Sequence, residues 1–313
     1  MVRGGNALSE IRATSIKERK IKQHGFDLAF DIIIKVLSVL IIILVMYPLI
    51  YVLSASLSNP LAITRGQVWL FPKQFTLEAY KSVFGNSKIL SGYKNTILIT
   101  GVATLINLAM TTICAYPLSR KDLWGRNVIT IFITFTMFFS AGMIPNYLLI
   151  RNLGLLNSHW SLILPGAISV YNMLIMRNYF QNSIPDEIIE ASTIDGCSNI
   201  QILLRVVIPL SKSIYAVLLI FYAVGHWNSY FDAMVYLSSE AKYPLQLILR
   251  NFLLESTQIK DDLGLTATIA EASLSYVSLQ YAIIVVSSLP LVIAYPFMQK
   301  YFTKGVMIGA VKG

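Results

Sequence analysis

The segment IPDEIIEASTIDGCSNIQILLRVVIPL, residues 184–210, is charged and broken by glycine, yet it lies between two long apolar runs. Pro185 suits the first turn of a helix, where its missing N–H costs no hydrogen bond. Asp186 and Glu187 complement the positive end of the helix dipole. The Asp-Gly pair that ends at Gly196 is typical of a turn or a helix C-cap. The segment therefore predicts a short helix that ends close to Gly196.

A second short helix is expected after this turn, because Ser198 or Asn199 can cap its first backbone N–H groups. Pro209 separates it from the next apolar run. Gly196 is expected to adopt a left-handed conformation or to admit a close backbone contact. The residues alone leave two interpretations open. The segment is either a surface that a partner approaches closely or an amphipathic connection that rests on the membrane. The apolar residues of the second helix fall on one face: Ile202, Leu203, Val206 and Val207.

The composition indicates an integral membrane protein. Hydrophobic residues make up 55% of the chain, charged residues 13%, and the mean hydropathy is +0.63; soluble domains carry about 25% charged residues. The net charge of +9 does not indicate a nucleic-acid partner, because the basic residues are spread among the connections and form no stripe or recognisable motif. The anionic inner surface of a membrane explains them better.

Six apolar runs are long enough to cross a hydrocarbon core, which requires roughly 20 residues. Lipid offers no partner for backbone polar groups, so each run is expected to be helical. The first run is too long for the apolar part of a signal peptide and is expected to remain as a span. The predicted fold is an all-α membrane protein whose spans lie at 32–57, 96–119, 127–150, 160–180, 211–238 and 277–299.

The Lys and Arg residues of the connections predict the orientation. The N-terminal tail carries six basic residues before the first run, so we expect both termini in the cytoplasm. The basic outer connection at 58–95 is the main evidence against this orientation. We therefore expect a cytoplasmic tail at 1–28, a transmembrane domain at 29–303 with a cytoplasmic segment at 185–209, and a cytoplasmic tail at 304–313.

Several chemistries have no motif in this sequence. There is no P-loop, no nucleophile elbow, no zinc-protease motif and no paired-carboxylate constellation, so we expect no enzyme activity and no resident metal or cofactor. Cys114 and Cys197 have neither a disulfide framework nor metal-ligand spacing. Apart from Arg177 and Lys212, which belong to the cytoplasmic ends of their runs, the ionisable residues in the spans are Lys35, His226 and Asp232. So few argue against proton-driven secondary transport.

The motif EASTIDG at 190–196, followed after nine residues by VVIP at 206–209, resembles the EAA motif of ABC-importer permeases. That pattern is E-A-A, three residues, G, nine residues, I, one residue, L-P. Ser192 stands for the second alanine, Val206 for isoleucine and Ile208 for leucine, each a substitution of similar size. GHWNSYFDAMVYL at 225–237 and GVMIGAVKG at 305–313 resemble the second permease of maltose-type carbohydrate importers, especially those for complex or polymeric sugars.

The resemblance implies a six-helix type I importer domain in the bacterial cytoplasmic membrane. In that family the EAA segment is a coupling helix that enters a groove of a separate ATPase, which binds ATP and Mg. The implied partners are a second permease, two ATP-binding subunits and an extracellular sugar-binding protein. The coupling residues that follow from the resemblance are Glu190, Ala191, Ser192, Asp195, Gly196 and Pro209, with Lys304, Gly309 and Lys312 in the C-terminal tail.

Two alternatives to carbohydrate import stay open. A permease for peptides or amino acids shares the EAA pattern, although the second and third motifs argue against it. A membrane anchor or sensor would use the 185–209 segment only to dock a soluble partner.

The fifth run supplies candidates for a substrate path. With a rise of roughly 1.5 Å per residue, residues 226–232 lie in its outer half. Sugars bind aromatic faces through their C–H surfaces, and amides, hydroxyls and carboxylates through their own hydroxyls. Alternatively, Trp227 and Tyr230 belong to an interfacial aromatic belt and Asn228 bonds a neighbouring helix. The candidates are Tyr222, His226, Trp227, Asn228, Tyr230 and Asp232, with weaker ones at Asn146, Tyr147 and Asn172.

The outer connection at 58–95 is strongly basic. Glu78 is its one acidic residue, so we expect its surface to favour an acidic partner protein or an anionic, uronate-bearing glycan. Its basic residues are Arg65, Lys73, Lys81, Lys88 and Lys94.

Overall fold

The computed structural model describes residues 25–139, 141–261 and 267–305. Every regular element in these ranges is a helix, which confirms the all-α prediction. A π-helical turn, Leu203–Val207, and a 3-10 turn, Glu240–Lys242, accompany the α-helices. These are α1 Gly25–Ser56, α2 Pro60–Thr64, α3 Glu78–Gly85, α4 Ser87–Ser119, α5 Arg126–Thr136, α6 Met143–Asn152, α7 Trp160–Ile163, α8 Val170–Ser183, α9 Asp186–Ile194, α10 Asn199–Ile202, α11 Ile208–Leu210, α12 Lys212–Asn228, α13 Phe231–Tyr236, α14 Leu245–Asp261 and α15 Ala267–Gly305.

The chain divides into two compact units, Met1–Ile50 and Tyr51–Gly313. The described part of the first unit is helix α1 as far as Ile50, and its apolar side chains from Phe30 to Leu49 are exposed. Three described helices are long and apolar enough to cross a membrane, at Ala29–Ser56, Ser87–Ser119 and Tyr276–Pro296. A fourth crossing requires the pair Asn199–Leu210 and Lys212–Asn228, which meet at 83°.

The expectation of one continuous helix per apolar run is wrong for three runs. The run at 127–150 is split into α5 and α6, and Gly142 before α6 has a φ of 85° that favours glycine. The run at 160–180 is interrupted between α7 and α8 at 164–169, which include Pro165, and the run at 211–238 breaks between Asn228 and Phe231. Irregular backbone is tolerated at such depth only where protein groups satisfy it.

Side chains from α4 and α12 satisfy the break between α7 and α8. The Asn107 amide donates to the Gly166 carbonyl, and the Ser169 N–H donates to the Tyr222 hydroxyl. The break is therefore a bonded part of the second unit.

Helix α4 is the centre of the second unit, where it packs against α8, α12 and α14. Met173, Met176 and Leu218 have no exposed surface in the cluster between these helices. Three hydrogen bonds also join α4 to α12, between Asn107 and His226, Thr111 and Tyr222, and Thr112 and Tyr215, at 2.7, 2.7 and 2.8 Å. In lipid, close packing and such interhelical hydrogen bonds hold helices together.

The connections that precede α4 and follow α13 are more ordered than the sequence predicts. Helix α4 begins at Ser87 instead of near residue 96, because the Asn86 side chain caps it by accepting from the Lys88 N–H. The Asn95 amide donates to the carbonyls of Ala241 and Tyr243 at 2.8 and 3.0 Å. These bonds tie the connection after α13 to the N-terminal part of α4.

Candidate functional site

A cavity of about 640 Å³ lies in the second unit between α6, the α7–α8 break, α12 and α13. Five of the predicted path residues line it, and they come from four helices: Asn146, Asn172, Tyr222, His226 and Asp232. Ser161, Ser169, Ser229 and Tyr236 add further polar groups. Amide, hydroxyl, imidazole and carboxylate groups around an aromatic-lined cavity are suited to binding a polyhydroxylated molecule.

The orientation of His226 is determined by a buried amide. Its Nε2 lies 2.7 Å from Oδ1 of Asn107, a residue with 0% exposure. The Nδ2 of Asn107 donates to the Gly166 carbonyl, so the amide oxygen is the atom that faces the imidazole. An amide oxygen only accepts, and therefore Nε2 of His226 carries the proton.

The other predicted path residues lie outside the cavity lining. Trp227 is buried and donates from Nε1 to the Ser287 carbonyl at 3.1 Å, so it packs in the helix bundle and does not sit in an interfacial belt. Asn228 donates to the Val224 carbonyl of its own helix, not of a neighbour. Tyr230 is exposed beneath the Arg250 guanidinium, 5.8 Å from the ring centroid.

Tyr147 packs against Tyr236, a lining residue that was not predicted from the sequence. Its ring stacks on that of Tyr236 with centroids 6.3 Å apart. Asn107 was missed as well, although Asn107 and Thr111 form a polar i, i+4 pair in an otherwise apolar run, a signal that could have identified it. The sequence gives no signal that shows which helix Tyr236 or Asn107 contacts.

The segment at 185–209 forms a corner of two short helices, as its local sequence predicts. Gly196 has a φ of 81°, which confirms the expected left-handed turn after α9. Ser198 caps the second helix in a capping box, in which its N–H donates to the Gln201 side chain at 2.8 Å. Ile202 and Val207 are 1% exposed in the same cluster as Ile214 and Leu218 of α12.

The side chains at the tip of this corner are exposed. Ile194 is 86% exposed, and the side chains of Glu190, Ala191 and Asp195 are exposed beside it. Ser192 is half-buried and donates to the Ile188 carbonyl of its own helix. Ile200 and Leu204 are exposed as well, so this corner carries three exposed large apolar side chains.

An exposed ion pair joins the connection between α4 and α5 to the first turn of α9, and a second ion pair lies within the connection. Lys121 donates to the carboxylate of Asp186, and this hydrogen bond raises the pKa of Lys121. Arg120 donates from Nε and Nη2 to both oxygens of Asp122 at 3.0 and 3.1 Å, which lowers the pKa of the Asp122 carboxyl. A second cavity, of about 920 Å³, lies between this connection and α9.

The predicted coupling residues of the tail are largely outside the described residues. Lys304 belongs to α15, but its side chain is outside them, and so are Gly309 and Lys312. Pro209 lies in α11, directly before the bend into α12.

Comparison with known proteins gives the family. Residues 107–308 match the model of the binding-protein-dependent transport system inner membrane component family. Protein LplC of Bacillus subtilis (strain 168) is 42% identical over 270 residues, which are 85% of this chain and 89% of that protein. The polygalacturonan/rhamnogalacturonan transport system permease protein YtcP of the same organism is 36% identical over 284 residues, 91% of this chain and 98% of that protein.

A solved structure shows the same fold. It is the crystal structure of a bacterial ABC transporter involved in the import of the acidic polysaccharide alginate, with a TM-score of 0.81 and 37% sequence identity. The match covers 90% of this chain and 99% of that one. This likeness confirms the predicted type I ABC-importer transmembrane fold. The chain is therefore a membrane component of a transporter and belongs to the family of binding-protein-dependent transport system inner membrane components.

Proposed function

We propose that this chain is one permease subunit of an ATP-driven importer for oligosaccharides. The observation that carries the proposal is the 640 Å³ cavity, where residues distant in sequence place amide, imidazole and carboxylate groups around one space. Relatives whose names state a cargo support it, including YtcP and the melibiose/raffinose/stachyose import permease protein MelC of Bacillus subtilis (strain 168), 26% identical over 249 residues. A sugar would bind through its hydroxyls to the polar groups and through its C–H face to Tyr222 and Tyr236.

The proposed assembly is a heterodimer with a second permease, two ATP-binding subunits that hold ATP and Mg, and an extracellular sugar-binding protein. It spans the bacterial cytoplasmic membrane with both termini of this chain in the cytoplasm. The family description supports the binding protein and the inner membrane, and the basic N-terminal tail supports the orientation.

The corner at 185–209 is the proposed docking site for an ATP-binding subunit. Its exposed tip at Ile194 offers an apolar contact, and Glu190 and Asp195 offer charged ones. Ile202 and Val207 pack in the same cluster as Ile214, Leu218 and Tyr222, and Tyr222 lines the cavity. A displacement of the corner by its partner would therefore move α12 and the cavity wall, because packed side chains transmit shifts.

We further propose that the glycan carries acidic sugars. YtcP and the solved relative are named for polygalacturonan/rhamnogalacturonan and for alginate, which its title calls an acidic polysaccharide. The basic residues of the outer connection support the same idea, since Arg65, Lys73, Lys81 and Lys94 are exposed. Lys88 differs from them because it forms an ion pair with Glu240 at 2.7 Å.

The test is uptake by proteoliposomes that hold the full assembly with ATP enclosed. We expect accumulation of trigalacturonate that requires ATP and weakens at high ionic strength, because salt screens exposed charges. Reversing the charge of Arg65, Lys73 and Lys81 together should weaken it in the same way. Uptake of neutral glycans alone would contradict the acidic cargo, and no uptake of any glycan would contradict the carbohydrate importer.

The tail at 304–313 is proposed to reach the ATP-binding subunits. Its removal should leave membrane insertion intact and reduce ATPase stimulation by substrate. Unchanged stimulated ATPase activity in the truncated complex would contradict this role.

A further inference from the structure

The cavity has the wrong charge for a carboxylate. Among its described lining residues Asp232 is the one that carries a formal charge, and none is Lys or Arg. The exposed cations Arg65, Lys73 and Lys81 belong to the outer connection and do not line it. A sugar carboxylate placed beside Asp232 would be repelled with no cation to balance it.

His226 presents a hydrogen-bond acceptor instead of a donor. Its proton lies on Nε2, which donates to Asn107, so Nδ1 of the neutral ring holds a lone pair. In the described part of the chain no group forms a hydrogen bond with Nδ1 of His226 or with the Asp232 carboxylate. Hydroxyl groups of a ligand can donate to both, whereas a carboxylate can donate to neither.

We infer that the cavity binds the hydroxyl-bearing edge of a sugar unit and not its carboxylate, with Nδ1 of His226 and the carboxylate of Asp232 as acceptors. The inference rests on the proposed function and refines it. An acidic glycan would be oriented with its carboxylates away from this cavity, so its charge and its hydroxyls are recognised at different places. The amides of Asn146 and Asn172 supply donors for the hydroxyl oxygens.

The first test needs neither partner nor substrate. The full-length chain, labelled with 15N-histidine and placed in lipid nanodiscs, is studied by long-range 15N–1H correlation at neutral pH. We expect the His226 ring to show a protonated Nε2 and an unprotonated Nδ1, with His226→Gln used for assignment. A ring protonated at Nδ1 alone, or at both nitrogens, would overturn the inference.

The second test compares two trisaccharides matched in linkage, galactotriose and trigalacturonate, in the reconstituted assembly. His226→Gln keeps an amide donor for Asn107 but replaces the ring acceptor Nδ1 with an amide oxygen at a different position. We expect the half-saturating concentration to rise about two- to tenfold for each trisaccharide that the wild type transports, the effect of one lost hydrogen bond. The matched control is His159→Gln, because His159 lies outside the cavity lining and contacts the Lys242 carbonyl.

Asp232→Asn distinguishes a cavity that binds sugar hydroxyls from one that binds a sugar carboxylate. It removes a charged acceptor, so we expect weaker uptake of whichever trisaccharides the wild type transports. Selective improvement of trigalacturonate would show a carboxylate in the cavity and overturn the inference, as would unchanged uptake by His226→Gln. If the wild-type assembly accumulates no glycan, the proposed function fails and this inference falls with it, whatever the variants do.

Discussion

Replacement of Gly196 tests whether the corner between α9 and α10 transmits the action of the ATP-binding subunit. Its φ of 81° is a conformation that L-residues rarely adopt. A Cβ built at this position meets nothing within 4 Å, so the chain itself has space for a side chain. Any effect of Gly196→Val must therefore come from backbone strain or from contact with a partner.

The strain can be estimated from the backbone alone. An L-residue in the left-handed region costs about 1–2 kcal/mol, and a β-branched residue lies at the upper end. About 2 kcal/mol shifts the ratio of the native corner to other conformations by roughly thirtyfold. Asparagine tolerates this region, so Gly196→Asn should cost much less.

The assay is a pull-down of the ATP-binding subunit together with uptake in the same membranes. We expect Gly196→Val to insert normally but to lose most transport, Gly196→Asn to stay near the wild type, and Glu190→Ala to lose less than Gly196→Val. Gly66→Val is the matched control, because Gly66 has a φ of 67° and equally open space, but lies in the connection at 58–95. Normal ATPase binding and transport by Gly196→Val would refute the coupling role, and equal losses for Asn and Val would refute backbone strain as the cause.

Three further predictions concern single contacts. Gly92→Ala should destabilise the chain by about 1–3 kcal/mol, because its Cβ would lie 2.6 Å from Ile248 Cδ1 and 3.2 Å from Leu245 Cα. Gly101→Ala in the same helix meets nothing within 4 Å and should be neutral or stabilising; equal melting temperatures in lipid nanodiscs would contradict the close approach. Trp227→Phe removes the indole N–H that donates to the Ser287 carbonyl and should cost about 0.5–1.5 kcal/mol. Trp124→Phe, at a side chain 93% exposed, should cost under about 0.5 kcal/mol, and a similar loss for both would contradict the buried hydrogen bond. The Asp122 carboxyl has a lowered pKa because Arg120 donates to it, so its stabilising contact is present at neutral pH and is lost only as the pH falls through that lowered value. Carboxyl 13C shifts assigned with Asp122→Asn should therefore show Arg120→Gln raising the pKa of Asp122, and an unchanged pKa would count against the ion pair.

The turn and the helix cap of the corner at 185–209 could be predicted from the sequence, because both depend on local interactions. The turn at Gly196 and the cap at Ser198 depend on residues within a few positions of one another, and the structure shows both. The all-α membrane class followed from composition, since a chain with 55% hydrophobic residues must satisfy its backbone internally in lipid. The EAA resemblance then identified the family, which no argument from composition could do.

Helix interruptions were only partly visible in the sequence. Pro165 and Gly142 mark two of the breaks, yet apolar length alone favoured continuous spans. What permits the break that includes Pro165 is distant, because Asn107 and Tyr222 supply the hydrogen bonds that the interrupted backbone needs. An apolar run does not reveal whether another helix will supply such partners.

The sequence by itself determined the membrane class, the corner and the set of polar residues in the fifth run. Only the tertiary structure decided which of them share a cavity: it places His226 there beside Asn107, 119 positions away in the chain, and places Trp227 against α15. The physical reason is that helical periodicity assigns residues to a face of their own helix, whereas the partner of that face depends on how the helices pack.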